Sequence, residues 1–141
     1  YGLVGSEMCI RDSYHVRPGF VTYNLGRFVS LFEEAGLSLK DVVIMTPFNS
    51  LGYQMSPSRD ACERSLSSLQ EGHVIAMSIM AGGYLKLDEA INYVRTLPNL
   101  FGVAVAVSSR EHAQDTFTRL RIMTEVSDRT ASKPAKPRSG E

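Results

Sequence analysis

Ser108, Ser109 and Arg110 place two hydroxyls and a guanidinium just ahead of a segment whose apolar residues Ala113, Phe117 and Leu120 recur at helical spacing. The free N–H groups and positive dipole end of a helix amino terminus suit a phosphate. The same letters have a plainer reading, because Ser108 followed by Glu111 forms a capping box, and that carboxylate opposes an anion unless it turns back to the cap. A second candidate is Ser78 with Ala81, Gly82 and Gly83, where absent or tiny side chains let a ligand approach the backbone. A glycine pair also simply closes a tight turn. Thr22, Tyr23 and Asn24, and then Asn49, Gly52, Tyr53 and Gln54, follow two other apolar runs in the same way. Asn24 doubles as a helix cap.

These segments hold no nucleophile paired with a base, no carboxylate pair and no metal-ligand spacing. Asp41, Asp60, Glu63, Asp88 and Glu89 fall at strand starts or on helices, where a solvated face is the ordinary role. His73 precedes its strand and His112 opens a helix. His15, the best general base by residue type, lies next to a segment of doubtful origin. Met45, Met77 and Met80 sit in apolar runs and read as core filling. No catalytic residue and no metal ligand is assigned.

The elements that position these residues follow from one repeated pattern. A short β-branched run, a turn and a helically spaced segment recur from Gly19 onward, with apolar runs at Phe20–Tyr23, Val42–Phe48, Val74–Met80 and Phe101–Val107. Continuous apolarity without alternation predicts parallel strands buried on both faces. Asn24 caps a helix that leaves at Gly36. Ser56–Pro57 starts a second helix, Leu87–Leu97 forms a third that Pro98 stops, and Ser108 with Glu111 starts a fourth. The fold class is α/β, as four consecutive βα units. Two architectures accommodate them: half of a (β/α)8 TIM barrel, whose whole needs about 250 residues, or an open doubly wound parallel sheet.

Composition bounds the rest. The 141 residues are 43% hydrophobic and carry fifteen acids against fifteen bases, which fits an ordinary globular chain with a core. A net charge of zero without a basic stripe leaves no electrostatic footprint for nucleic acid or anionic lipid. The expected partner is therefore a small molecule, with oligomeric state open. Cys9 and Cys62 make neither a disulfide framework nor a zinc site, so a reducing, cytoplasmic setting is expected. Residues 1–13 match neither a secretory signal nor any periodicity. Their run GSEMCIRDS resembles the translation of a sequencing adapter, which puts the start of the natural chain near Tyr14. The α/β region is expected over 14–124 and a disordered tail over 125–141, where proline, lysine and serine displace the apolar pattern.

VIAMSIMAGGYLKLDEAINYV followed by LPNLFGVAVAVSSREHAQDTF resembles the last two strand–helix units of aldo/keto reductase-like barrels, particularly the bacterial and archaeal branch with iron–sulfur extensions. GFVTYN and DVVIMTPFN resemble the two units before them, so the likeness covers about residues 19–120. It implies the carboxyl half of a TIM barrel, an NADP cofactor with its adenosine phosphate on Ser108, Ser109 and Arg110, and a pyrophosphate along Ser78, Gly82 and Gly83. Three positions depart from the family pattern. Val21 replaces a serine that grips the nicotinamide amide, Met77 an aromatic that stacks beneath it, and Thr116 an asparagine that meets the adenine. The family's catalytic aspartate, tyrosine, lysine and histidine belong to an amino-terminal half outside this sequence. Phosphate-binding function without catalysis in this fragment is therefore the expectation. A sugar-phosphate isomerase or epimerase barrel and a non-catalytic ligand-binding barrel are the alternatives.

Overall fold

In the computed structural model, which describes residues 13–131, each β-branched run contains a short strand and each amphipathic segment the helix after it. The elements are β1 (Gly19–Val21), α1 (Leu25–Glu34), β2 (Val43–Pro47), α2 (Arg59–Ser68), β3 (His73–Met77), a 3-10 turn (Ala81–Gly83), α3 (Leu87–Val94), β4 (Leu100–Val103) and α4 (Arg110–Ala131). The strands are parallel and lie in the order β1-β2-β3-β4. Phe20 pairs with Ile44, Ile44 with Val74 and Val74 with Leu100, and a bulge interrupts β3–β4 between Val74 and Ile75. The α/β alternation is thus present. A doubly wound sheet reverses its strand order at a switch point, and no reversal occurs among the described strands.

Successive parallel strands joined by right-handed crossovers carry their helices on one side, and the core lies accordingly. Ile44, Val74 and Ala76 are buried with Leu25 and Phe32 of α1, Cys62 and Leu66 of α2 and Ala90 of α3. Phe20, Phe28 and Phe32 stack at centroid separations of 4.9–5.7 Å, fastening α1 over β1. On the opposite face Val43, Met45, Ile75 and Met77 are only half-buried, while Val21 and Phe101 are exposed. Equal burial of both faces, expected from the continuous apolar runs, is not what this sheet shows.

Helix ends follow local chemistry, with shifts of a few residues. The Asn24 side chain accepts from the Arg27 N–H at 2.9 Å, and Gly36 leaves α1 at φ +65°, where a Cβ would be strained. The second helix begins after Ser58, whose Oγ accepts from the Ala61 N–H at 3.2 Å, and not at Ser56–Pro57. Ser56 is engaged elsewhere, donating its N–H to the Tyr23 carbonyl at 2.9 Å. Helix α3 stops at Val94 and not at Leu97, because the last turns tighten into Thr96 N–H to Tyr93 O and Leu97 N–H to Val94 O. Strand β3 ends at Met77, since Ser78 turns left-handed at φ +52°.

The chain forms two compact units, the first ending at Val105 and the second starting at Ala106. The sheet and α1–α3 belong to the first, α4 to the second. Helix α4 continues to Ala131, past the point at 125 where composition places the start of the tail. Residues 1–12, with most of the adapter-like run, and 132–141 lie outside the described residues. No described helix is long and apolar enough to cross a membrane.

Candidate functional site

Parallel strands present their following loops at one end, and in the first unit two of these loops are tied together by a buried amide. Asn49, fully buried beyond the end of β2, donates from Nδ2 to the Tyr53 carbonyl at 2.9 Å and to the Ser78 carbonyl at 3.3 Å. Its Oδ1 accepts from the Tyr53 N–H at 2.7 Å. One side chain therefore closes the loop after β2 and bridges it to the turn after β3. The Ser56 N–H to Tyr23 carbonyl bond joins the loop after β1 to the same assembly.

Left-handed backbone gathers in these two bridged loops, at Gly52, Gln54, Ser78, Ala81, Gly82 and Gly83. For Gln54, Ser78 and Ala81 this conformation costs roughly 1–2 kcal/mol each and persists only where surrounding bonds over-determine it. Those bonds are visible. Ser78 O accepts from the Ala81 N–H at 2.8 Å, and Met80 O accepts from Gly83 and Leu85 at 2.9 and 3.1 Å. The turn consumes most of its own donors and leaves the Gly82 N–H. A Cβ on Gly82 would meet the Tyr53 ring at an ordinary 3.7 Å, so its φ of +70° and not crowding demands glycine there.

Aromatic side chains mark the same end. Tyr23 follows β1, Tyr53 follows β2 and Tyr84 follows β3, and they are 50%, 40% and 78% exposed. The rings of Tyr53 and Tyr84 lie 6.3 Å apart and tilted by 53°. Ser78, Gly82 and Gly83, singled out from sequence, fall within this cluster. Tyr84 was missed there, although an aromatic directly after the glycine pair in a strand-following loop was a usable signal.

Ser108, Ser109 and Arg110 group at the start of α4 in the second unit. The cap is Ser109, whose Oγ accepts from the His112 N–H at 3.1 Å, and not Ser108. The helix starts one residue later than the Ser108–Glu111 spacing predicts, which makes His112 the third helical residue and leaves Glu111 outside any capping box. Ser108 is exposed, and Arg110 is exposed with no carboxylate partner among the described residues. Arg110 also lines a hollow of about 390 Å³ with Gln114, Phe117 and Thr118. These donors fit an anion, and Glu111 in the same turn weakens that fit.

Arg59, Cys62, Glu63 and Tyr93 serve the helix layer. Tyr93 of α3 donates its hydroxyl to Glu63 Oε1 of α2 at 2.7 Å, and Arg59 Nε stands 3.3 Å from the same carboxylate. Burial, and then the Glu63 carboxylate, hold the Tyr93 phenol far above its ordinary value. Burial likewise pushes the Cys62 thiol up, and its Sγ donates to the Ser56 carbonyl at 3.3 Å, so it is a poor nucleophile. Among the described residues no group of three or more histidines, cysteines and carboxylates is placed to hold a metal. A groove of about 490 Å³ lies between α1 and α2, lined by Gly26, Ser30, Glu33, Ser65 and Glu71 among others, and Ser78, Gly82 and Gly83 take no part in it. Of the departing positions, Val21 and Met77 end β1 and β3, while Thr116 is buried with its Oγ1 lacking a hydrogen-bond partner, which withdraws it from ligand contact.

No protein-family model matches the chain, and no curated protein or solved structure matches it either.

Proposed function

We propose that this chain supplies the ligand-binding end of a (β/α)8 barrel of aldo/keto reductase type. In the first unit the loops after β2 and β3 are the ligand-binding loops, and in the second the start of α4 is a phosphate-binding element of the NADP type. One observation carries the reading. In the first unit the loops after three consecutive parallel strands are hydrogen-bonded to one another and place left-handed backbone and exposed tyrosines at the carboxyl end of the sheet, where such folds bind ligands. The sequential strand order supports a barrel segment over a doubly wound sheet. Ser108 and the exposed Arg110 supply donors for a phosphate, whereas Met77 offers no flat surface for a nicotinamide. Without an acid–base pair in these loops, binding without hydride transfer is the expected behaviour of the chain by itself.

Calorimetric titration with NADPH and NADH tests this. The extra phosphate should favour NADPH by about tenfold or more, the scale of a charge-assisted hydrogen bond or two. Arg110→Ala, at an exposed position, should erase that preference and leave the fold intact. Equal affinities for both nucleotides, or an unchanged preference in R110A, would sink the phosphate assignment. Binding of a sugar phosphate with no response to either nucleotide would move the chain to the isomerase-type alternative.

A further inference from the structure

We propose that Tyr84, supported by Tyr53, is a stacking platform for a neutral, planar heteroaromatic ring of the purine class, with the Gly82 N–H as a donor at the ring's edge. The inference rests on the reading above only in using the same end of the sheet, and it names a ligand group the phosphate assignment does not reach.

The geometry is specific. Tyr84 is 78% exposed although Tyr53 stands 6.3 Å away, so ring surface on Tyr84 remains bare. The 53° tilt is an edge-supported arrangement within the range of favourable aromatic pairs, which steadies Tyr84 without covering it. Gly82, exposed and without a side chain, lies beside the Tyr53 ring, whose edge would stand 3.7 Å from an added Cβ, so its unspent N–H belongs to the same patch as the rings. The amides of Ala81, Gly83 and Leu85 are spent inside the turn. A single unspent donor beside an apolar ring face complements a ring nitrogen acceptor better than a phosphate, which wants several donors or a cation. Tyr53, Gly82 and Tyr84 bring no acidic or basic side chain to the platform, so its faces offer little to recruit an ionic ligand.

Preorganisation adds to this. Asn49 holds both the Tyr53 backbone and the Ser78 carbonyl, so the two ring-bearing loops are already fixed relative to each other. A ligand that lands there does not have to order the backbone as it binds, which removes a cost that exposed loop aromatics otherwise impose.

The test is an NMR titration of the full chain, following tyrosine ring and backbone amide signals with adenosine and glucose as probes. Millimolar adenosine should move the Tyr53 and Tyr84 ring signals and the Gly82 amide, and glucose should leave them in place. Tyr84→Leu should weaken adenosine binding by about 5- to 100-fold, the range for loss of one base–aromatic stack, while Tyr84→Phe keeps it. Unmoved ring signals, an equal response to glucose, or equal adenosine binding by Y84L overturn the platform. The two readings fail separately. If NADPH and NADH bind equally while Y84L weakens adenosine binding, the phosphate assignment falls and the platform stands. If R110A removes a preference for NADPH while Y84L leaves adenosine binding unchanged, the platform falls and the phosphate assignment stands.

Discussion

Asn49 ties two loops of the first unit together, since two donors and an acceptor of one buried amide meet three backbone groups. Asn49→Ala leaves those groups unpaired in a buried setting and should lower stability by about 2–4 kcal/mol, with the Tyr53 and Ser78 amide signals moving most. A loss under about 1 kcal/mol in denaturant melts would show that the bridge contributes little. Thr46 is the opposite case, fully buried on β2 with no hydrogen-bond partner for its Oγ1. Thr46→Val keeps the shape and removes the stranded hydroxyl, so it should stabilise by about 1 kcal/mol; a lower denaturant midpoint would show that the hydroxyl has a partner in solution. Asn49 was legible in the sequence as a polar residue ending an apolar run. Its bridging role was not, because the Ser78 carbonyl lies 29 residues further on.

Helices α1 and α2 approach closely where Gly26 meets Ser65, and an added Cβ would sit 2.8 Å from the Ser65 Oγ. That hydroxyl already donates to the Ala61 carbonyl at 2.9 Å, so it resists moving aside. Gly26→Ala alone should therefore be less stable than Gly26→Ala with Ser65→Ala, and the double variant should keep up to about 1 kcal/mol of helix-propensity gain. Strict additivity of the two changes would contradict close packing. The neighbouring pair, α2 and α3, is fastened by Tyr93, Glu63 and Arg59. Tyrosine is neutral when protonated, and the fold raises the Tyr93 pKa above its unfolded value of 10.0. The folded chain then holds that proton to higher pH, so the contribution is complete below pH 10.0 and declines as pH rises beyond it. Tyr93→Phe should cost about 1 kcal/mol at neutral pH and flatten the alkaline fall in stability. Identical alkaline profiles would remove Tyr93 as the cause. At this scale Asn24 and Gly36 were readable because a cap and its helix are adjacent in sequence. The shifts to Ser58 and Ser109 were not, since each true cap has another serine one or two residues before it and hydrogen bonding selects between them.

Across the whole molecule the two faces of the sheet are unequal. Ile44 is fully buried among the helices, whereas Ile75 on the other face is half-buried. The same substitution should register the difference, with Ile44→Ala costing about 4 kcal/mol and Ile75→Ala less than about half of that. Comparable losses would mean that the second face is covered in solution. That face, bounded by exposed Val21 and Phe101, is the one the carboxyl half of a barrel would turn toward its interior.

The amino-acid order by itself determined the alternation of strand and helix, their approximate limits and the positions of the loops that follow each strand. These depend on periodicity, capping and glycine or proline stops, interactions that reach only three or four residues along the chain. Tertiary structure decided the rest: strand order, the face that is buried, the division at Val105, and the meeting of Asn49 with Ser78 that sets Tyr53 beside Tyr84. Strand order, the buried face and the Asn49–Ser78 meeting are contacts between segments distant in sequence, whose free energy exists only once the chain has closed the loops between them.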